Sequence, residues 1–300
     1  MKIVRPIAVT DAVLAASNVP ETEHAAWAGG TTYAAGARVL RISTDIHRVY
    51  ESVVSSNVGN DPLADDGSKW LLIGADNTWS MFDGVVQSQT THADSVEVTL
   101  DVPGRIDTVA LLNVSATSAQ VTVTDAIEGV VYDETRALVS PSGITDWYAY
   151  FFEPIERLTD IVFEGLPPYA NPTVDVVLEG AGETVACGAL IAGLSKDLGG
   201  TQYGASLGII DYSVKTKNDF GEYSIVERAF SRKASFAVFV ENTLVDQVMR
   251  LLSDYRATPI LYLGSTRFAA SAVYGFYRDF SAVISFPDVS VLSIELEGLT

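Results

Sequence analysis

Apolar and polar positions alternate with period two through most of this chain, and that alternation predicts a mainly β protein. Ser95–Leu100, Thr108–Val114, Gln120–Asp125 and Thr173–Leu178 are rich in Val and Thr and broken at short intervals by Gly and Asp. Serial strands of this kind predict a jelly-roll-like β-sandwich over residues 85–180. Earlier, Arg38–Ile42 and Arg48–Val53 alternate in the same way and predict two short antiparallel strands. Later, strands are expected at 209–216, 223–230, 234–240, 260–263, 272–277, 282–286 and 291–297.

Two stretches carry helical signals. Thr10 is placed to cap Asp11–Ala16 before Asn18 and Pro20 stop the turn. In the second, Leu244, Val245, Val248, Leu251, Leu252 and Tyr255 fall on one face, with Thr243 and Asp246 as a capping pair and Pro259 as the stop. Residues 180–208 are rich in Gly and small side chains, which predicts a linker or crossover. The expected organisation is therefore an arm at 1–26, an aromatic-rich β minidomain at 27–84, the sandwich at 85–180, and a C-terminal α+β assembly domain at 181–300 with one amphipathic helix. The aromatic and apolar run from Leu71 to Gly84 is expected to seal the minidomain against the next domain in the chain.

Composition narrows the function classes. The chain has 300 residues, 48% of them hydrophobic, enough for a sizeable core. Acidic residues outnumber basic ones 38 to 19, for a formal charge of −19, which opposes contact with a phosphate backbone, so no nucleic-acid partner is expected. One cysteine, Cys187, leaves no disulfide framework, and three scattered histidines, His24, His47 and His92, offer no Cys/His zinc cluster. Met1–Pro6 lacks the apolar core of a signal peptide and no run reaches the roughly 18 apolar residues of a membrane span, so synthesis in a cytosol and no membrane insertion are expected.

Candidate chemistry is sparse. Gly204-Ala-Ser206-Leu-Gly208 fits the nucleophile-elbow spacing, but a strand-like run follows it and no histidine lies downstream to act as base, so a turn is the reading. Asp65-Asp66, or Glu153 beside Trp147, Tyr148 and Tyr150, have the residue types for paired-carboxylate glycoside hydrolysis, yet coincidences of this kind are expected among 38 acids. Gly180-Ala-Gly182 lacks the third glycine of a dinucleotide site. Asp61, Asp65 and Asp66 suit calcium by type but do not complete a ligand set. His47 is expected to be bonded within the minidomain. No catalytic residue, cofactor or metal is assigned. The remaining candidates are aromatic: Trp27, Tyr33, Tyr50 and Trp70, which either build a small core or stack on sugar faces.

Those four lie in a recognisable pattern. Trp27, then Tyr33-x-x-Gly36-x-x-Val39, then Tyr50, Pro62 and Trp70, resembles the small chitin- and cellulose-binding modules attached to bacterial glycosidases. The resemblance implies a compact β module and makes Trp27, Tyr33, Tyr50 and Trp70 the candidate carbohydrate-binding residues. Where such modules place an exposed Trp platform, this chain has Val53, Val54 and Ser55, so the fold pattern is kept and the sugar platform is not.

Over nearly its whole length the chain also resembles structural proteins of the tail tip or baseplate of tailed bacteriophages. The resemblance rests on Tyr50-Glu-Ser52 with Val58-Gly-Asn-Asp-Pro62, Asn77-x-Trp79-Ser-Met-Phe-Asp83, Tyr203-Gly-Ala-Ser-Leu-Gly-Ile209-x-Asp211-Tyr-Ser213, Phe220-Gly221 and Ser293–Leu299, in that order. It implies a virion component, not an enzyme, whose partners are other tail proteins. It further implies a homo-oligomeric ring, a trimer or hexamer, with host-surface glycan as a further contact. A free or cell-surface lectin is the alternative from another class, and a glycosidase accessory chain a third.

Overall fold

The computed structural model describes residues 1–139, 147–152, 157–217, 219–265 and 268–299. Its strands in chain order are β1 Lys2–Pro6, β2 Leu14–Ser17, β3 Arg38–Arg41, β4 Arg48–Ser52, β5 Trp70–Ala75, β6 Thr90–Asp101, β7 Thr108–Ser115, β8 Ser118–Asp125, β9 Gly129–Ala137 and β10 Ile161–Glu164. They continue with β11 Thr173–Asp197, β12 Gly200–Thr201, β13 Ser206–Asp211, β14 Val214–Lys217, β15 Tyr223–Val226, β16 Phe230–Glu241, β17 Ile260–Leu263, β18 Ala272–Val283 and β19 Val289–Gly298. Among the described residues, the helices α1 Trp147–Phe152 and α2 Val245–Asp254 are added to this mainly β framework. The chain divides into one unit of residues 7–190 and a second of residues 1–6 and 191–300.

In the first unit, the period-two pattern becomes a shared buried face. β11 pairs antiparallel with β6 on one side and β8 on the other, so Val176 lies between Val98 and Val121, and Leu178 between Val96 and Ala119. All six of these side chains are buried. Strand β7 pairs with β10 and buries Thr108 through Leu112 without interruption. The minidomain within this unit is a three-stranded antiparallel sheet ordered β3-β4-β5.

The second unit is an antiparallel sheet in which β1, β17, β18, β19 and β16 are successive neighbours. Phe236 faces Ile294, and Val238 faces Leu292, in the β16–β19 register. Helix α2 packs Val248 and Leu252 onto this core, with Val245, Leu251 and Tyr255 partly buried against it. Five of the six residues expected on its apolar face therefore meet the core, while Leu244 at the helix start remains exposed. The expected capping pair does not form. Leu244 occupies the N-cap and no side chain makes a capping hydrogen bond, so α2 depends on the packing of its apolar face.

Three further expectations are corrected. Asp11–Ala16 is not a helix: the Val13 and Leu14 amides donate to the Thr10 carbonyl in one turn, after which β2 pairs with β6. Six residues carry the full nucleation penalty of a helix, and pairing with an established strand wins. Residues 1–6 are not a free arm, because β1 pairs with β17 and with the end of β11.

The third correction concerns residues 180–208. They are not a flexible linker, since β11 continues to Asp197 and Val185 through Gly193 are all buried, but they do cross from one unit to the other, whose boundary falls at Leu190 and Ile191. The small residues there reflect close backbone approach. A Cβ on Gly188 would lie 2.2 Å from the Val86 carbonyl oxygen, and one on Gly193 would lie 2.2 Å from that of Arg5.

Candidate functional site

The four sequence-selected rings come together in the minidomain. Pairing of β3 with β4 sets Val39 opposite Tyr50, and pairing of β4 with β5 sets Ser52 opposite Trp70. Val39, Tyr50 and Trp70 form a buried cluster, with Trp27 and Tyr33 partly buried against it. Tyr33 meets Trp70 edge to face, with ring centroids 5.3 Å apart. The Trp70 indole N–H donates to the Asn60 carbonyl at 3.0 Å. Tyr33 is pinned as well: its backbone exchanges two hydrogen bonds with Asn57, and its hydroxyl accepts the Ala28 amide at 2.8 Å. Trp27 lies under the Arg41 guanidinium at 5.3 Å, and its indole nitrogen is buried with no hydrogen-bond partner.

The carboxylates of the following loop are committed to holding that loop. Asp61 accepts two 2.8 Å bonds from Arg41, and this guanidinium holds its carboxyl below the usual carboxylate range. Asp65 accepts the amides of Trp70, Lys69 and Gly67, which depress its pKa in the same direction. Asp66 accepts the Ser68 amide. Among the described residues no group of three or more His, Cys, Asp or Glu side chains could hold a metal ion.

Leu71, Leu72 and Ile73 do not seal the module. Strand β5 adds them as an edge, and all three side chains are exposed, with Leu71 at 53%. Val53, Val58 and Leu63 are exposed too. The module therefore buries Tyr50 and Trp70 with Val39, Leu40 and Val49, and leaves a second set of aliphatic side chains to solvent.

A second buried group joins the aromatic run beyond Trp70 to the minidomain. His47 Nδ1 lies 2.9 Å from Glu21, its Nε2 lies 3.1 Å from the Ser43 carbonyl, and its ring lies 4.6 Å from that of Trp79. The Trp79 indole N–H donates to Glu21 at 2.6 Å. Nearby, Asp76 is fully buried and neither carboxyl oxygen has a hydrogen-bond partner. Burial pushes its carboxyl above the usual range, and the charge of Glu21 reinforces the shift. Glu21 and Asp76 carried no spacing signal, since their relation to His47 exists only in the folded chain.

The other candidates are dispersed. Ser206 opens β13 after the Tyr203-Gly204 turn, with a strand and no helix behind it. Cys187 is buried in β11, and desolvation raises its thiol to about 12, which removes it from thiolate chemistry at neutral pH. Trp147 and Tyr148 are exposed on α1, and Glu153 lies outside the described residues. No helix among the described residues is long and apolar enough to cross a membrane. No family model matches the chain, and no curated protein matches it.

Proposed function

We propose that this chain is a structural protein of a tailed-phage virion, placed at the tail tip or baseplate, where it joins other tail proteins within a homo-oligomeric ring. The reading assigns it no catalytic step. It starts from the ordered sequence resemblance and is supported most by the aliphatic surface that the minidomain leaves exposed. A sugar-stacking site needs ring faces open to solvent. Here Tyr50 and Trp70 are buried, while Leu63 and Leu71 are 52% and 53% exposed, and aliphatic surface of this kind suits a protein neighbour. Immunogold electron microscopy of intact particles tests the placement: label confined to the tail tip is expected, and label absent from particles overturns it.

A lectin is the second reading, and one observation favours it. Trp27 and Tyr33 keep part of their rings at the surface beside the Arg41–Asp61 pair, a small polar and aromatic rim. Glycan-array binding that disappears in Trp27→Ala while the melting curve holds would establish that reading in place of the first.

A further inference from the structure

We infer that the β14–β15 ribbon is an intermolecular arm whose Lys215, Lys217, Tyr223 and Ile225 face docks on the β8–β9 hairpin of a second copy of this chain. The inference rests on the homo-oligomeric reading above and names the contact that makes it. Strands β13 and β16 pair from Ser206↔Ser235 to Asp211↔Phe230, and the same two chain segments continue as β14 and β15 from Val214↔Val226 to Lys217↔Tyr223. Every residue of β14 and β15 is exposed. A two-stranded ribbon with neither face covered has no core of its own and is marginal in water. Cross-strand register puts Lys217 beside Tyr223, whose ring lies 5.6 Å from the ammonium, and Lys215 beside Ile225 on the same face.

Ten large apolar side chains between positions 203 and 230 are exposed, from Tyr203 at 100% to Val214 at 37%. The ten are spread over both faces of the ribbon and the segments beside it, and the docking face takes from them Tyr223 and Ile225, each 66% exposed.

Charge selects the occupant. Residues 7–190 hold 26 Asp and Glu against 7 Lys and Arg, a net −19, while residues 1–6 and 191–300 hold 12 of each. All of the chain's net charge therefore belongs to one unit, and two such units facing each other repel. The ribbon face presents Lys215, paired with Asp211 at 2.8 Å, and Lys217, over the Tyr223 ring, and Lys217 is the charge it brings to that unit. The β8–β9 hairpin fits it in kind: Ile127 is 94% and Val130 62% exposed, among Asp125, Glu128 and Asp133. Among the described strands β9 pairs only with β8, at the end of its sheet. Arm to hairpin is a heterologous contact, which repeats from copy to copy and closes into a ring when the rotation permits.

Sedimentation velocity of the full chain over a concentration series is the test. Wild type is expected above monomer mass, with assembly weakening as salt rises. Tyr223→Ser with Ile225→Ser is expected to raise the dissociation constant about tenfold or more at an unchanged melting temperature. Lys215→Glu with Lys217→Glu is expected to weaken assembly, and adding Glu128→Lys and Asp133→Lys to restore it. In a mixture of Tyr223→Cys and Val130→Cys chains, a bismaleimide is expected to join one chain to the other, because Cys187 is buried. Wild type monomeric at every concentration, or assembly unchanged in both ribbon variants, overturns the arm. Unchanged assembly with the protein still present in particles overturns the arm alone, whereas an intact arm contact with the protein absent from particles overturns the virion reading alone.

Discussion

Tyr33 and Trp70 meet edge to face at 5.3 Å, and each is held by a backbone hydrogen bond, Tyr33 through Ala28 and Trp70 through Asn60. Two rings fixed this way serve as the keystone of a small module more readily than as a ligand platform, and their energetic roles follow from their burial.

Trp70→Ala is expected to destabilise the first unit by about 3 kcal/mol or more, because a large cavity replaces a side chain that is 2% exposed. Trp27→Phe should change stability little, since the indole N–H it removes has no acceptor. Thermal and urea unfolding of the two variants check both. Equal effects would mean that Trp27 belongs to the core as fully as Trp70.

Asp76 sets an alkaline-side cost. Its carboxyl is raised above its unfolded value, so the folded chain binds more protons than the unfolded one between those two values, and stability falls as pH rises through that window. Asp76→Asn is accordingly expected to stabilise the protein at pH 7, by about 1 kcal/mol. The gain should shrink toward pH 4. Denaturant midpoints at the two pH values are the readout, and a gain independent of pH would contradict the assignment.

Asp65 acts with the opposite sign. Its carboxyl is held low by three backbone donors, so it contributes stability that is present above its unfolded value and lost as pH falls through the folded one. Asp65→Asn is expected to lower the melting temperature at neutral pH and to converge on wild type in acid. A constant difference across the pH series would show that the loop is held by something other than the carboxylate.

Gly193→Ala tests the close approach of β11 to β1 inside the second unit. The added Cβ would sit 2.2 Å from the Arg5 carbonyl oxygen, which is backbone and cannot rotate away. Destabilisation of about 1–3 kcal/mol is expected, read as a lower denaturant midpoint. A neutral result would mean that the Pro6↔Gly193 end of the ladder yields freely.

Much of this fold was legible along the chain because period-two burial is local. β17 lies at Ile260–Leu263 as its pattern indicates, and the alternation at Thr173–Leu178 becomes the Val174, Val176 and Leu178 buried face. The errors share one cause, which is tertiary override. Gly188 and Gly193 read as flexible in sequence and are in fact spacers between backbones, and Asp11–Ala16 reads as helical until β6 claims its neighbours. At the candidate site, the meeting of Trp27, Tyr33, Tyr50 and Trp70 followed from their spacing, but which rings would be buried did not. Glu21 and Asp76 were invisible, because a polar cluster assembled across 58 residues leaves no periodic trace.

The most direct measurement of the central claim is a quantitative mass-spectrometric inventory of purified, washed phage particles. A structural tail component is expected at a fixed copy number per particle, a multiple of three or six, matching that of neighbouring tail-tip proteins. Recovery of the chain only in the soluble lysate, with none in infectious particles, would contradict the account.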